Sequence, residues 1–74
     1  MSDIRQVMEV MRYNDAVRRA FAELYRWQMR GLAIAEAWQE NLELDMPALN
    51  EVDAGIQASR DAVTAALREA GVVL

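Results

Sequence analysis

The side chains available for chemistry in this sequence are arginines, carboxylates, tyrosines and a few hydroxyls, because the chain contains no histidine, cysteine or lysine. Those three absent types supply many of the general bases, nucleophiles and Schiff-base formers of enzymes. No glycine-rich loop or nucleophile motif accompanies the side chains that remain. We therefore expect a non-enzymatic protein without catalytic residues or a cofactor. The one enzymatic route left open is a cluster of buried arginines that would bind a dicarboxylate.

Three carboxylates at helical spacing are the best candidates for a metal site: Glu36, Glu40 and Glu43. A di-metal site in a helical protein is built from Glu-x-x-His pairs as well as from single glutamates, and the histidines are missing here. We therefore interpret these carboxylates as a solvated acidic face and expect no metal.

Six arginines in the first part of the chain form the most regular charged pattern. Four recur every seven residues and two flank them: Arg5, Arg12, Arg19 and Arg26, with Arg18 and Arg30. A line of arginines along one side of a helix can follow phosphates. Acids three or four positions away, such as Glu9 and Glu23, can also pair with the line, and acids of the second half can pair with it across helices. We expect ion pairing, with nucleic-acid contact through Arg5, Arg12, Arg19, Arg26 and Arg30 as the alternative.

Composition limits the class of protein. The chain has 74 residues, of which 54% are apolar, and a formal net charge of −4. Its longest apolar run is the four residues at 32–35, which is too short for a transmembrane helix or a secretory signal. We expect a single helical domain over 1–74 in the cytoplasm. A chain this short buries a small core and is usually stabilised by disulfides, metals or association, so composition favours an oligomer.

The only proline marks the one clear turn. Pro47 follows an acidic cluster and precedes a periodic run, so Asp45 or Met46 is the expected N-cap, with the turn at 45–47. The second helix is predicted over about 48–70 and ends at Gly71 in the C′ position. One narrow stripe, apolar except for Ser59, recurs along it at alternating spacings of three and four: Leu49, Val52, Ile56, Ser59, Val63, Ala66 or Leu67, and Ala70.

The first helix is predicted over about 3–44, with a possible break near 14–15, where Asn14 or Asp15 can cap a new helix. One apolar stripe of this helix faces the second helix and includes Trp27, Ile34 and Trp38. Counting back from the turn places Trp38 near Val52, Ile34 near Ile56, Trp27 near Val63, Leu24 near Leu67, and Gly31 near Ser59.

Helix lengths decide between two architectures. An unbroken first helix is about 63 Å long and the second about 35 Å, so the first helix projects well beyond its neighbour. We therefore predict an all-α helical hairpin with a long first helix that dimerises into a four-helix bundle, in which each overhang lies on the partner. The alternative is a three-helix monomer, in which the first segment breaks at 14–15 and folds back.

A second apolar stripe lies on the other side of the first helix. It includes Met8, Met11, Tyr25, Met29 and Leu32, and a helix that is apolar on two faces must bury both. This stripe is interpreted either as the core of a dimer or as a docking surface for another protein. The predicted partner-binding set is Met8, Met11, Arg18, Tyr25, Met29 and Leu32.

These features predict a protein-binding module that modulates or inhibits a partner through an apolar helical surface rimmed by arginine. Phage-encoded modulators of host proteins, antitoxin-like regulators and assembly chaperones include small proteins of this kind. The expected partners are a second copy and another protein, without a membrane or a small-molecule substrate. The layout also resembles that of small acidic helical-hairpin dimers such as the plasmid RNA-binding regulator Rop. That resemblance implies the alternative function, RNA or DNA binding through the arginine stripe.

Overall fold

Three α-helices make up most of the chain in its computed structural model, which describes residues 4–74. They are α1 (Ile4–Tyr13), α2 (Asp15–Asn41) and α3 (Met46–Glu69), and no strand occurs within the described range. The predicted all-α class is confirmed. Asp3, the predicted start of the first helix, lies outside the described residues.

Asn14 separates α1 from α2. Its N–H donates to the Val10 carbonyl at 2.8 Å and so ends α1. Its backbone then adopts an extended conformation, with φ −114° and ψ 109°, and its side chain accepts from the Val17 N–H at 3.1 Å as the N-cap of α2. The first helix is therefore interrupted at the position where the sequence left a break open, because an asparagine side chain can replace the carbonyl acceptor that the first turn of a helix lacks.

A short connection at Leu42–Asp45 joins α2 to α3. Leu42 is in the left-handed region at φ 57°, and its N–H donates to the Trp38 carbonyl at 2.7 Å. The Asp45 side chain accepts from the Ala48 N–H at 3.0 Å, which confirms the predicted N-cap, and Pro47 lies in the first turn of α3. The turn thus begins earlier than the predicted 45–47, because the left-handed Leu42 ends α2 at Asn41.

The end of α3 is a Schellman motif. Gly71 has a positive φ of 89° at the C′ position. Its N–H donates to the Arg68 carbonyl and the Val72 N–H donates to the Leu67 carbonyl, both at 3.0 Å. This pair of hydrogen bonds satisfies carbonyls that the helix leaves free and brings Val72 onto Leu67.

The core lies where α1, the start of α2 and the end of α3 meet. Its buried residues are Val17, Val63, Leu67 and Val72. Three apolar side chains of α1 pack against it: Val7, Val10 and Met11. The remaining contact between α2 and α3 continues toward the turn through Val52 and Ser59, which are buried on the predicted stripe of α3. The chain thus covers part of α1 itself, as the three-helix alternative predicts and the overhanging first helix of the hairpin does not.

The register of α2 against α3 differs from the predicted one by about two turns of helix. A Cβ added to Gly31 would lie 3.2 Å from Cγ1 of Val52, and the Trp27 indole lies directly on Gly55. The predicted neighbours were Ser59 and Val63 respectively. The prediction assumed that both helices run symmetrically into the turn. In the structure α2 extends about one turn beyond the start of α3.

Trp38 shows the consequence of this register. It lies near the end of α2, where α3 gives little cover, and its exposed fraction is 47%. The prediction that it packs near Val52 on the hairpin face is corrected accordingly. Exposed Leu42, Leu44 and Met46 surround the same end of the hairpin.

Candidate functional site

The side of α2 that faces away from α3 carries three large apolar residues. Tyr25, Met29 and Leu32 lie four and then three residues apart, so their side chains follow one another along one side of the helix. Their exposed fractions are 61%, 45% and 51%. We call these three residues the outward stripe. Leu24 and Trp27, on the opposite side of α2, are half-buried. The helix therefore carries apolar residues on two faces, as predicted.

Arginines line the outward stripe along one side and at its N-terminal end. Arg26 pairs with Glu23 at 2.6 Å, and the Arg30 guanidinium lies 4.7 Å from the Trp27 ring centroid. Arg18 pairs with Asp15 and donates to the Arg12 carbonyl at 3.3 Å. These contacts hold the guanidinium groups near the helix while leaving them in solvent, so the stripe has a rim of positive charge.

An open hollow of about 420 Å³ lies between the outward stripe and this arginine rim. Its lining consists of Glu23, Tyr25, Arg26, Trp27, Met29, Arg30 and Ala33. The floor is therefore apolar and the edge is charged, which is the arrangement found where a side chain of another protein anchors in a surface depression.

Glu23 is the acidic member of this rim. The hydrogen bond and the charge of Arg26 hold the pKa of its carboxyl below the ordinary value of 4.5, with smaller contributions from Trp27 and Arg30. The carboxylate is therefore ionised at neutral pH and neutralises part of the arginine charge beside the stripe.

The predicted partner-binding set is only partly brought together. Tyr25, Met29 and Leu32 form the outward stripe, and Arg18 lies beyond the N-terminal end of the stripe on the same side of α2. Met8 is 64% exposed but lies on α1, in a separate hollow that Arg5, Glu9 and Arg12 also line. Met11 packs against the core instead, because the break at Asn14 lets α1 turn its apolar side onto the core cluster.

The predicted line of arginines is divided by the same break. Arg5 and Arg12 belong to α1, whereas Arg19, Arg26 and Arg30 belong to α2. All eight arginines of the chain are exposed, so none forms the buried cluster that a dicarboxylate site would need. Two ion pairs in the described part of the chain join residues three apart within α2, Asp15 to Arg18 and Glu23 to Arg26.

Sequence reasoning missed a second apolar region at the turn. A hollow of about 300 Å³ is lined there by Gly31, Ile34, Ala35, Trp38, Leu44 and Leu49. The signal in the sequence was the close spacing of Leu42, Leu44 and Met46. The predicted first helix over 3–44 includes Leu42 and Leu44 and the predicted turn at 45–47 includes Met46, so the prediction does not group these side chains into one surface.

Among residues 4–74, no three histidine, cysteine or acidic side chains come close enough together to hold a metal ion. Within the same range, none of the helices has the combination of length and hydrophobicity needed to span a bilayer.

Comparison with known proteins gave no match. No protein-family model matches the chain, and neither a curated protein nor a solved structure matches it.

Proposed function

We propose that this chain is a non-enzymatic protein-binding module that modulates a partner protein through the outward stripe of α2. The observation that carries the proposal is the exposure of Tyr25, Met29 and Leu32 in a row on a helix whose opposite face is already covered by α3. An exposed apolar row with a polar rim marks an interaction site in a small protein.

The stripe suits an amphipathic helix of the partner. Residues spaced by four and three positions match the apolar spacing of such a helix, so side chains of the two helices can interdigitate. Methionine adapts its shape to the surface that it meets, and tyrosine adds a large contact area with a polar tip. The arginine rim selects for acidic residues beside the partner's apolar row. When this chain covers the partner's apolar row, it either blocks the other contacts of that row or recruits the partner.

We also propose that the chain forms a homodimer. Only five apolar residues of the described chain are buried, four of them in the core cluster: Val17, Val52, Val63, Leu67 and Val72. So small a core gives limited stability, and association is a common supplement in chains of this size. The closed four-helix bundle expected from the sequence stays a prediction.

The test of protein binding compares two tyrosine substitutions. Helical peptides that bind the immobilised chain would be selected from a randomised display library, and their affinity for variants measured by calorimetry. We expect Tyr25→Ala to weaken binding at least tenfold, as truncation of an interface anchor does. Tyr13→Ala, which removes a still more exposed ring from α1, should leave the affinity unchanged. Equal affinities for the two variants would contradict the proposal.

Salt distinguishes this function from nucleic-acid binding. Binding to phosphates falls by orders of magnitude between 50 and 200 mM salt, whereas apolar docking changes little. A strongly salt-dependent affinity for RNA or DNA that is lost in Arg19→Ala and kept in Tyr25→Ala would favour the nucleic-acid alternative.

A further inference from the structure

The outward side of α2 carries opposite charges at the two ends of its apolar row. A helix advances about 100° per residue, which places Arg18, Met29, Glu36 and Glu40 on the same side. All three charged residues are exposed. The order along this side is therefore basic, apolar and acidic with Met29 at the middle, and Asp15, which pairs with Arg18, lies beside the basic end.

The spacing of these charges is symmetric about Met29. Arg18 precedes Met29 by eleven residues and Glu40 follows it by eleven, which is about 16 Å along the axis in each direction. A second α2 laid antiparallel with its Met29 on the first Met29 would therefore bring each Arg18 to the Glu40 of the other copy. The same register sets Tyr25 beside Leu32 of the other copy, so that the apolar residues of the two stripes meet.

We propose that the occupant of the outward stripe is a second copy of this chain, which binds with its α2 antiparallel and centred on Met29. The inference rests on the proposed function, since it names a partner for the same stripe. A two-fold axis through Met29 uses one surface twice and forms both end pairs at once, as an isologous interface requires. Charge complementarity within one helix favours a second copy, because a parallel arrangement would set like charges together.

The dimer and the complex with another protein are mutually exclusive uses of the stripe. The helix of a partner must replace the α2 of the second copy. Dissociation of the dimer therefore precedes partner binding, and the affinity of the dimer sets how readily the stripe becomes available.

Light scattering and analytical ultracentrifugation over a dilution series test the dimer. We expect a mass of twice 8.4 kDa at high concentration. Met29→Arg should raise the dimer dissociation constant by more than about a hundredfold, because it sets two like charges at the two-fold axis. Circular dichroism checks that the variant keeps its helices. A monomer at every concentration, or a dimer indifferent to Met29→Arg, overturns the inference.

Charge exchange tests the antiparallel register. Arg18→Glu and Glu40→Arg should each weaken the dimer by roughly tenfold, since each replaces two symmetry-related attractions by two repulsions. The double variant, Arg18→Glu with Glu40→Arg, should restore the wild-type constant. Arg60→Glu and Asp61→Arg, on exposed positions of α3, are the matched controls and should change nothing. A double variant as weak as the singles overturns the register.

Failure of this inference differs from failure of the proposed function. If the chain stays monomeric but Tyr25→Ala abolishes helical-peptide binding, the second copy is excluded as the occupant and the protein-binding function stands. If the chain dimerises as predicted but binds no helical peptide, the dimer inference stands and the proposal that the chain modulates another protein is contradicted.

Discussion

Contact between the Trp27 indole and Gly55 shows how one absent methyl group sets the distance between α2 and α3. A Cβ on Gly55 would overlap the indole ring atoms. Glycine inside a helix costs roughly 1 kcal/mol relative to alanine, so its place in the middle of α3 needs a compensating contact. The large flat face of Trp27 provides that contact.

Substituting Gly55→Ala should lower the free energy of unfolding by about 1–2 kcal/mol, since overpacking exceeds the gain in helix propensity. Urea denaturation followed by circular dichroism measures the change. Gly31→Ala is the matched control. Its new methyl group meets only Cγ1 of Val52, at 3.2 Å, so its effect should stay within about 0.5 kcal/mol. Equal losses in the two variants would show that Trp27 does not distinguish them.

Protonation of Glu23 should weaken the local pairing on α2. Arg26 lowers the pKa of this carboxyl in the folded chain below 4.5, so its contribution to stability is complete above that pH. The contribution is lost as the pH falls through the lowered pKa. An NMR titration should show the Glu23 pKa rising toward 4.5 in Arg26→Gln and staying lowered in Arg60→Gln. An unchanged pKa in Arg26→Gln would exclude Arg26 as the cause.

At the scale of elements, the division of the first helix at Asn14 determines which apolar residues reach the core. The asparagine ends α1 through its backbone and starts α2 through its side chain. The change of direction brings Val7, Val10 and Met11 against the core cluster and leaves Met8 outside. The cap at Asn14 therefore decides that Met11 packs against the core while Met8, three residues earlier, stays exposed.

Asn14→Ala should destabilise the fold by about 1 kcal/mol, because it removes the N-cap acceptor of the Val17 N–H. Chemical denaturation provides the measurement. Asn50→Ala, the same exchange at an exposed position within α3, should leave stability unchanged or slightly higher, since alanine is the better helix former. Comparable losses at both positions would mean that the cap at Asn14 contributes nothing specific.

Sequence patterns predicted the elements better than their register. Asp45 as N-cap and Gly71 as C′ residue follow from side-chain chemistry that acts locally, and both are observed. The register depends on Leu42 in the left-handed region. Leucine does not favour that conformation, so a leucine at position 42 does not indicate a left-handed residue there. The predicted register was therefore wrong by about two turns.

The candidate site was predictable to a similar extent. The periodicity of Tyr25, Met29 and Leu32 identified an apolar face, and the structure exposes it. Met11 was assigned to the same surface because an unbroken helix was assumed. Gly55 gave no signal, since glycine in a helix can mark either close packing or a weak position, and only the position of the Trp27 ring decides between them.

At the scale of the whole molecule, little apolar surface is buried compared with what is exposed. The buried apolar residues are valines and one leucine, whereas most of the aromatic and methionine side chains are partly or largely exposed. Because the larger side chains contribute most when buried, further stabilisation is available through association.

Thermal unfolding should therefore depend on protein concentration. For a dimer that unfolds to monomers, we expect the midpoint to rise by roughly 5 °C for each tenfold increase in concentration. Differential scanning calorimetry measures this, and Met29→Arg should abolish the dependence. A wild-type midpoint that is constant over a hundredfold range would show that folding and association are not linked.

The two tryptophans lie in different surroundings, so intrinsic fluorescence can report on the chain without a label. Trp27 is pressed on Gly55 with the Arg30 guanidinium over its ring, while Trp38 is about half exposed beyond the start of α3. Their fluorescence reports two separate places, the helix contact and the turn. A quencher dissolved in the buffer reaches the Trp38 ring more easily than the Trp27 ring, so events at the middle of α2 and at its C-terminal end can be followed separately in unlabelled protein.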